Sequence, residues 1–93
     1  MITLPLNLRK NGFAYTQLLR GRKSAIYRQE VTPEVSYFEV FLIRSKPERS
    51  ILGKIIPAKE VFPADEDFGS TAWSCRTYEN ALKRFNDLET GHD

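Results

Sequence analysis

The ten residues from Val35 to Arg44, Val-Ser-Tyr-Phe-Glu-Val-Phe-Leu-Ile-Arg, constrain the fold more than any other part of the chain. Side chains alternate between the two faces of a strand. Phe38, Val40 and Leu42 therefore point one way, and Tyr37, Phe41 and Ile43 the other. A strand that is apolar on both faces is either central and covered on both sides, or it offers one face as a binding surface. The chain has 93 residues to build that cover, enough for a single domain with a modest core.

Two further strand-like runs precede it. Phe13–Arg20 is aromatic at alternate positions and stops at Gly21. Residues 23–31 follow, with Ala25, Tyr27, Gln29 and Val31 on one face and Ile26, Arg28 and Glu30 on the other. Arg20-Gly21-Arg22 has the length and the glycine of a hairpin turn. Pro33 ends the second run, because it fixes φ and removes a donor. Residues 1–12 read as an N-terminal arm or edge strand: Leu4, Leu6 and Leu8 alternate, Pro5 interrupts the hydrogen bonding, and Asn11-Gly12 marks a turn.

Beyond Arg44, Ser45 to Ser50 reads as a polar turn and Ile51 to Ile56 as a short fourth strand weakened by Gly53. Ala58 to Phe62, bracketed by Pro57 and Pro63, is too short for more than a helical turn, and residues 57–70 form an ordered insertion loop. Thr71 to Arg76 is the last strand. The final element is a helix. Thr77 is its N-cap, and Glu79 suits the positive end of its dipole. Tyr78, Ala81, Leu82, Phe85 and Leu88 make one apolar stripe, and Gly91 stops it. The expected fold is α+β: an antiparallel meander of about four strands packed on one C-terminal amphipathic helix, in a single domain spanning 1–93.

Composition narrows the function classes. The net charge of +2 is too small to announce a nucleic-acid binder, but it is unevenly spread. Residues 1–50 carry nine Lys/Arg against four Asp/Glu, a balance of +5, while residues 51–93 balance to −3. Such asymmetry marks a basic face for a polyanion, or simply keeps a small sheet soluble. The single cysteine, Cys75, has no internal disulfide partner. No apolar run approaches the ~18 residues of a membrane span, and the N-terminus lacks the pattern of a signal peptide. The expected setting is cytoplasmic.

Signals for catalysis are nearly absent. The only histidine, His92, is the penultimate residue, and Cys75 has no histidine to form a dyad with. The five glycines are scattered singly, which excludes a phosphate loop. Asp65-Glu66-Asp67 is the one carboxylate cluster, but its spacing fits no EF-hand and further ligands are missing. The reading is no enzyme, no metal and no cofactor.

What remains is a set of aromatics interleaved with bases. Arg20, Arg22, Lys23 and Arg28 are candidates for phosphate contacts, and Tyr15, Tyr27 and Tyr37 for stacking, the pairing that single-stranded nucleic acid requires. The competing use of the same rings is as core against the helix. Trp73 is expected to pack at the helix start with Phe68 and Tyr78, and Phe62 and Phe68 to pin the insertion loop onto that core. A second use for the loop is as a protein-interaction or assembly surface built from Asp65, Glu66, Asp67 and Phe68.

Two resemblances follow from these residues. The run Phe62-Pro63, Glu66, Phe68-Gly69, Ala72-Trp73 and Arg76, continuing to Ala81, resembles a motif of short uncharacterised bacterial proteins, often from mobile elements, and implies no particular activity. The order of several antiparallel strands followed by one amphipathic helix is similar to the single-stranded-DNA-binding transcriptional regulator fold of the Whirly and positive-coactivator proteins. That likeness is architectural and implies a dimer or higher assembly with single strands on a sheet surface. The proline-containing stretch from Pro57 to Gly69 departs from it. The apolar excess of Val35–Ile43 and of the Leu4/Leu6/Leu8 arm likewise points to a homodimer. The overall expectation is a non-enzymatic binding module, for single-stranded nucleic acid or, alternatively, for a protein.

Overall fold

The computed structural model describes residues 1–91; His92 lies outside the described residues. Strands β1 (Asn7–Lys10), β2 (Phe13–Arg20), β3 (Ser24–Glu30), β4 (Ser36–Leu42) and β9 (Ala72–Cys75) form one antiparallel sheet in the order β1-β2-β3-β4-β9. The α+β meander is as expected, with the N-terminal segment supplying a fifth strand at the edge. The two-sided strand is interior, since β4 pairs with β3 on one side and β9 on the other. Its two faces are indeed both covered.

One cover is helix α1 (Tyr78–Thr90). Thr77 caps it through its hydroxyl, which accepts from the Asn80 amide at 3.2 Å, and Gly91 closes it at φ 82°. Its stripe of Ala81, Phe85 and Leu88 is buried against Ile26 and Val40, with Leu19, Phe38, Leu42, Trp73 and Cys75 around them. Burying these side chains is worth on the order of 1.5–3 kcal/mol each.

The second cover comes from the chain's own irregular segments. On the opposite face Tyr15, Tyr27, Phe41, Ala25 and Ala72 are buried under Leu4 from the N-terminus and Phe62 and Phe68 from the loop before β9. Phe62 is the keystone. Its ring lies 5.1 Å from Tyr15, 5.1 Å from Tyr27 and 4.9 Å from Phe41, each at a steep edge-to-face angle. This corrects one expectation. Phe68 does not share a core with Trp73, because Ala72 and Trp73 alternate across β9 and the loop returns on the face away from the helix. Much of the apolar surplus that pointed to a second copy is buried within the chain, while Leu6 and Val35 remain exposed.

The segment between β4 and β9 also differs from its sequence reading. Residues 44–61 form a two-tier antiparallel arm. In the inner tier β5 (Arg44–Lys46) pairs with β8 (Lys59–Val61), and in the outer tier β6 (Arg49–Ile51) pairs with β7 (Lys54–Ile56). Ile51 to Ile56 is therefore a hairpin tip rather than one strand, because Leu52 and Gly53 turn the chain at φ 51° and 78°. Residues 59–61 are strand rather than a helical turn, held by β5 and by Ile2, whose amide donates to Ala58. Pro47 and Pro57 fall in the break between the tiers, where no ladder bond is needed. A short 3₁₀ turn at Asp65–Asp67 completes the loop.

Candidate nucleic-acid interface

Every residue from Arg44 to Ile55 is exposed, on both faces of the ribbon, so the arm projects from the body. Its inner tier is anchored at three points. The Arg20 guanidinium donates to both Glu60 oxygens at 2.7 and 2.6 Å, a bidentate pair that holds the Glu60 carboxyl below the usual carboxylate range. Glu60 also accepts from the Leu4 amide at 2.9 Å. Across the ribbon, Arg44 reaches Asp67 at 3.3 Å. Beyond these anchors the arm carries Lys46, Arg49, Lys54 and Lys59, and no acidic side chain among the described residues pairs with any of them. Lys46 and Lys59 are directly opposite in register. Like charges facing across a ribbon repel, and an anion between them relieves the repulsion.

The base of the arm adjoins the β2–β3 loop. The Ile43 amide donates to the Lys23 carbonyl at 2.7 Å, so Arg22 and Lys23 stand at the same end of the sheet as the arm. Their backbone is rigid. The amides of Arg22, Lys23 and Ser24 donate to the Glu89 carboxylate at 2.8, 2.9 and 2.8 Å, and the Ser24 hydroxyl donates to it as well. Partial burial alone would raise the Glu89 pKa, but these four bonds outweigh it and hold the group at about 2. Gly21 leaves room for this carboxylate, since a Cβ there would overlap it and push it off its bonds. The helix end thus fixes the loop while the Arg22 and Lys23 side chains stay exposed.

The residues singled out from sequence separate into groups. The Lys23 ammonium is near Gly91 at the helix end, and the backbone of Arg22 and Lys23 adjoins the arm's base. Arg20 is there too, committed to Glu60. Arg28 lies apart, in mid-β3 on the helix side, opposite Thr16 and Phe38. Tyr15 is 4% exposed and Tyr27 0%, so neither ring offers a face for stacking. The Tyr27 hydroxyl accepts from Gln17 and donates to the Pro5 carbonyl, and the Tyr15 hydroxyl accepts from Gln29. Tyr37 is half-buried with Arg76 over its ring. The stacking platform is not assembled, because the second cover uses those rings. In the acidic loop Asp65 and Glu66 are exposed. Phe68 packs inward, and Asp67 accepts from the Ala64 amide at 2.9 Å to shape the turn.

One residue that sequence reasoning missed is Glu39. It is 7% exposed, on β4 between Tyr37 and Phe41 on the loop-covered face. Burial raises its pKa to about 7, Lys10 opposing and Asp65 adding to the shift. The signal was available: a lone carboxylate inside a strand otherwise apolar on both faces. Cys75 is half-buried, and burial pushes its thiol up, away from a reactive thiolate. Among the described residues no three His, Cys, Asp or Glu side chains converge as metal ligands, and no helix is long and apolar enough to cross a membrane.

No known family model, curated protein or solved structure matches this chain.

Proposed function

We propose that this domain is a non-enzymatic nucleic-acid-binding module that grips phosphates with the basic arm and the adjoining β2–β3 loop. One observation carries the reading: a fully exposed ribbon, residues 44–55, bearing unpaired cations and continuous with Arg22 and Lys23. Phosphate contacts position a polyanion without requiring open aromatic rings. Burial of Tyr15 and Tyr27 moves the proposed contact off the sheet face and onto the arm.

Fluorescence anisotropy with a labelled oligonucleotide, single-stranded and duplex in turn, tests this at about 50 mM salt. Binding is expected, weakening steeply as salt rises, and Arg22→Ala/Lys23→Ala is expected to weaken it further. Absence of binding to both substrates at low salt sinks the proposal.

A further inference from the structure

The outer tier of the arm closes in a two-residue turn whose geometry repeats elsewhere in the chain. Asn11-Gly12 turns at φ 54° and 84°, and Leu52-Gly53 at 51° and 78°. Asn-Gly is the favoured pair for such a turn, since asparagine tolerates the left-handed region and leucine does not. Leu52 is strained, and it is also 98% exposed. The turn sets that φ and the projecting arm that exposure, but neither calls for leucine. Next to it, Ile51 is 42% exposed on one face of the ribbon and Ile55 71% on the other, so apolar surface flanks the turn on both sides. Lys54 stands at the turn itself, opposite Ile51; Arg49 lies two residues back, and further back are the opposed Lys46 and Lys59. A strained residue kept at a surface tip is a sign of function rather than stability.

This charge arrangement selects the occupant. A greasy tip flanked by cations with one acid, Glu48, between them suits a ligand with anionic rails and an apolar interior that can be opened. Duplex DNA has that construction. Apolar side chains entering from the minor groove unstack a base step and kink the duplex, while basic residues hold the flanking phosphates. Major-groove readout by Arg49 and Lys54 would leave the exposed Leu52 without a role, whereas minor-groove entry uses the apolar turn and the cations together.

We infer that the arm is a DNA-kinking wedge: Leu52, backed by Ile51 and Ile55, enters a base step from the minor groove while Lys46, Arg49, Lys54 and Lys59 hold the phosphates on either side. This rests on the nucleic-acid reading above and specifies it as duplex bending. Leu52→Asn is the informative variant. It removes the wedge yet supplies the residue the turn prefers, so folding is preserved or improved.

The experiment is energy transfer between dyes on the two ends of a duplex of about 30 base pairs, whose smooth bending is otherwise costly. Wild type is expected to raise the transfer on binding, as a kink of about 20–90° requires. Leu52→Asn is expected to bind with affinity within roughly tenfold and unchanged salt slope, but to lose the rise in transfer. If Leu52→Asn bends DNA as wild type does, or wild type binds without bending, the wedge is overturned and the nucleic-acid reading stands. If wild type binds neither this duplex nor single strands, both fall; binding to single strands alone overturns the wedge and leaves the nucleic-acid reading standing. If sedimentation shows wild type forming a dimer that Leu52→Asn abolishes, the tip is covered by a second copy and the wedge is overturned.

Discussion

Replacing Glu39 with glutamine isolates the electrostatic consequence of covering both faces of β4. The carboxyl is 7% exposed and its pKa rises from 4.5 to about 7, with burial the dominant cause. The native state therefore holds a proton that the unfolded chain releases near pH 4.5, and stability falls as pH rises between those values. At 1.36 kcal/mol per pKa unit the full loss is about 3.4 kcal/mol. Adjustment of the covering loop to admit water lowers this to roughly 2 kcal/mol. Glutamine keeps the shape and never ionises. Urea unfolding followed by Trp73, the only tryptophan, reads the difference. Glu39→Gln is expected to match wild type near pH 4.5 and to exceed it by roughly 2 kcal/mol at pH 8, a rise in Tm of about 8–16 °C for a domain of this size. A gain equal at both pH values, or no gain at pH 8, refutes the reasoning.

Glu89→Gln should show the opposite sign. Its depressed pKa gives stability that is present above 4.5 and lost as pH falls through about 2. With one side of the carboxylate open to water, the variant is expected to lose roughly 1–2 kcal/mol at pH 7 and to converge with wild type near pH 2 in the same urea assay. Gly21→Ala places a Cβ in overlap with that carboxylate and should cost a similar amount through the same bonds, so combining it with Glu89→Gln should add less than the sum of the two. Phe62→Ala removes the ring that touches Tyr15, Tyr27 and Phe41, and is expected to destabilise by about 2–4 kcal/mol in urea unfolding. A loss below about 1 kcal/mol would show that the loop is not a true cover.

Local chemistry made much of the fold readable. Strand β2 occupies Phe13–Arg20 as its alternation predicts, and the Thr77 cap and Gly91 stop bound the helix. Two-sided apolarity left β4 either central or presenting a binding face, and its pairing with β3 and β9 makes it interior. What covered its second face was not readable, because the cover is irregular chain. Leu4 and Phe62 are 58 residues apart in sequence and come together only on the sheet face that both cover. The same ambiguity misassigned Tyr15 and Tyr27, since an aromatic at an alternate strand position looks alike whether it meets a ligand or Phe62. The arm was hidden for another reason. Pro47 and Pro57 break its strands into runs of three residues, below the length at which alternation is detectable, and Leu52 stands where a turn would be expected to carry asparagine. Arg22 and Lys23 were named alongside Arg20 and Arg28, but their continuity with the arm depends on strand pairing between Ser24 and Leu42.

The claim that the arm grips phosphates is tested most directly by the salt dependence of DNA affinity for wild type and for Lys46→Ala/Arg49→Ala/Lys54→Ala/Lys59→Ala. All four side chains are exposed and none belongs to the core, so the variant is expected to fold. Each phosphate contact adds about 0.9 to the slope of log affinity against log salt on duplex DNA, so the variant should lose roughly three to four units of slope along with its affinity. An unchanged slope with affinity intact would contradict the account and place any polyanion contact elsewhere on the molecule.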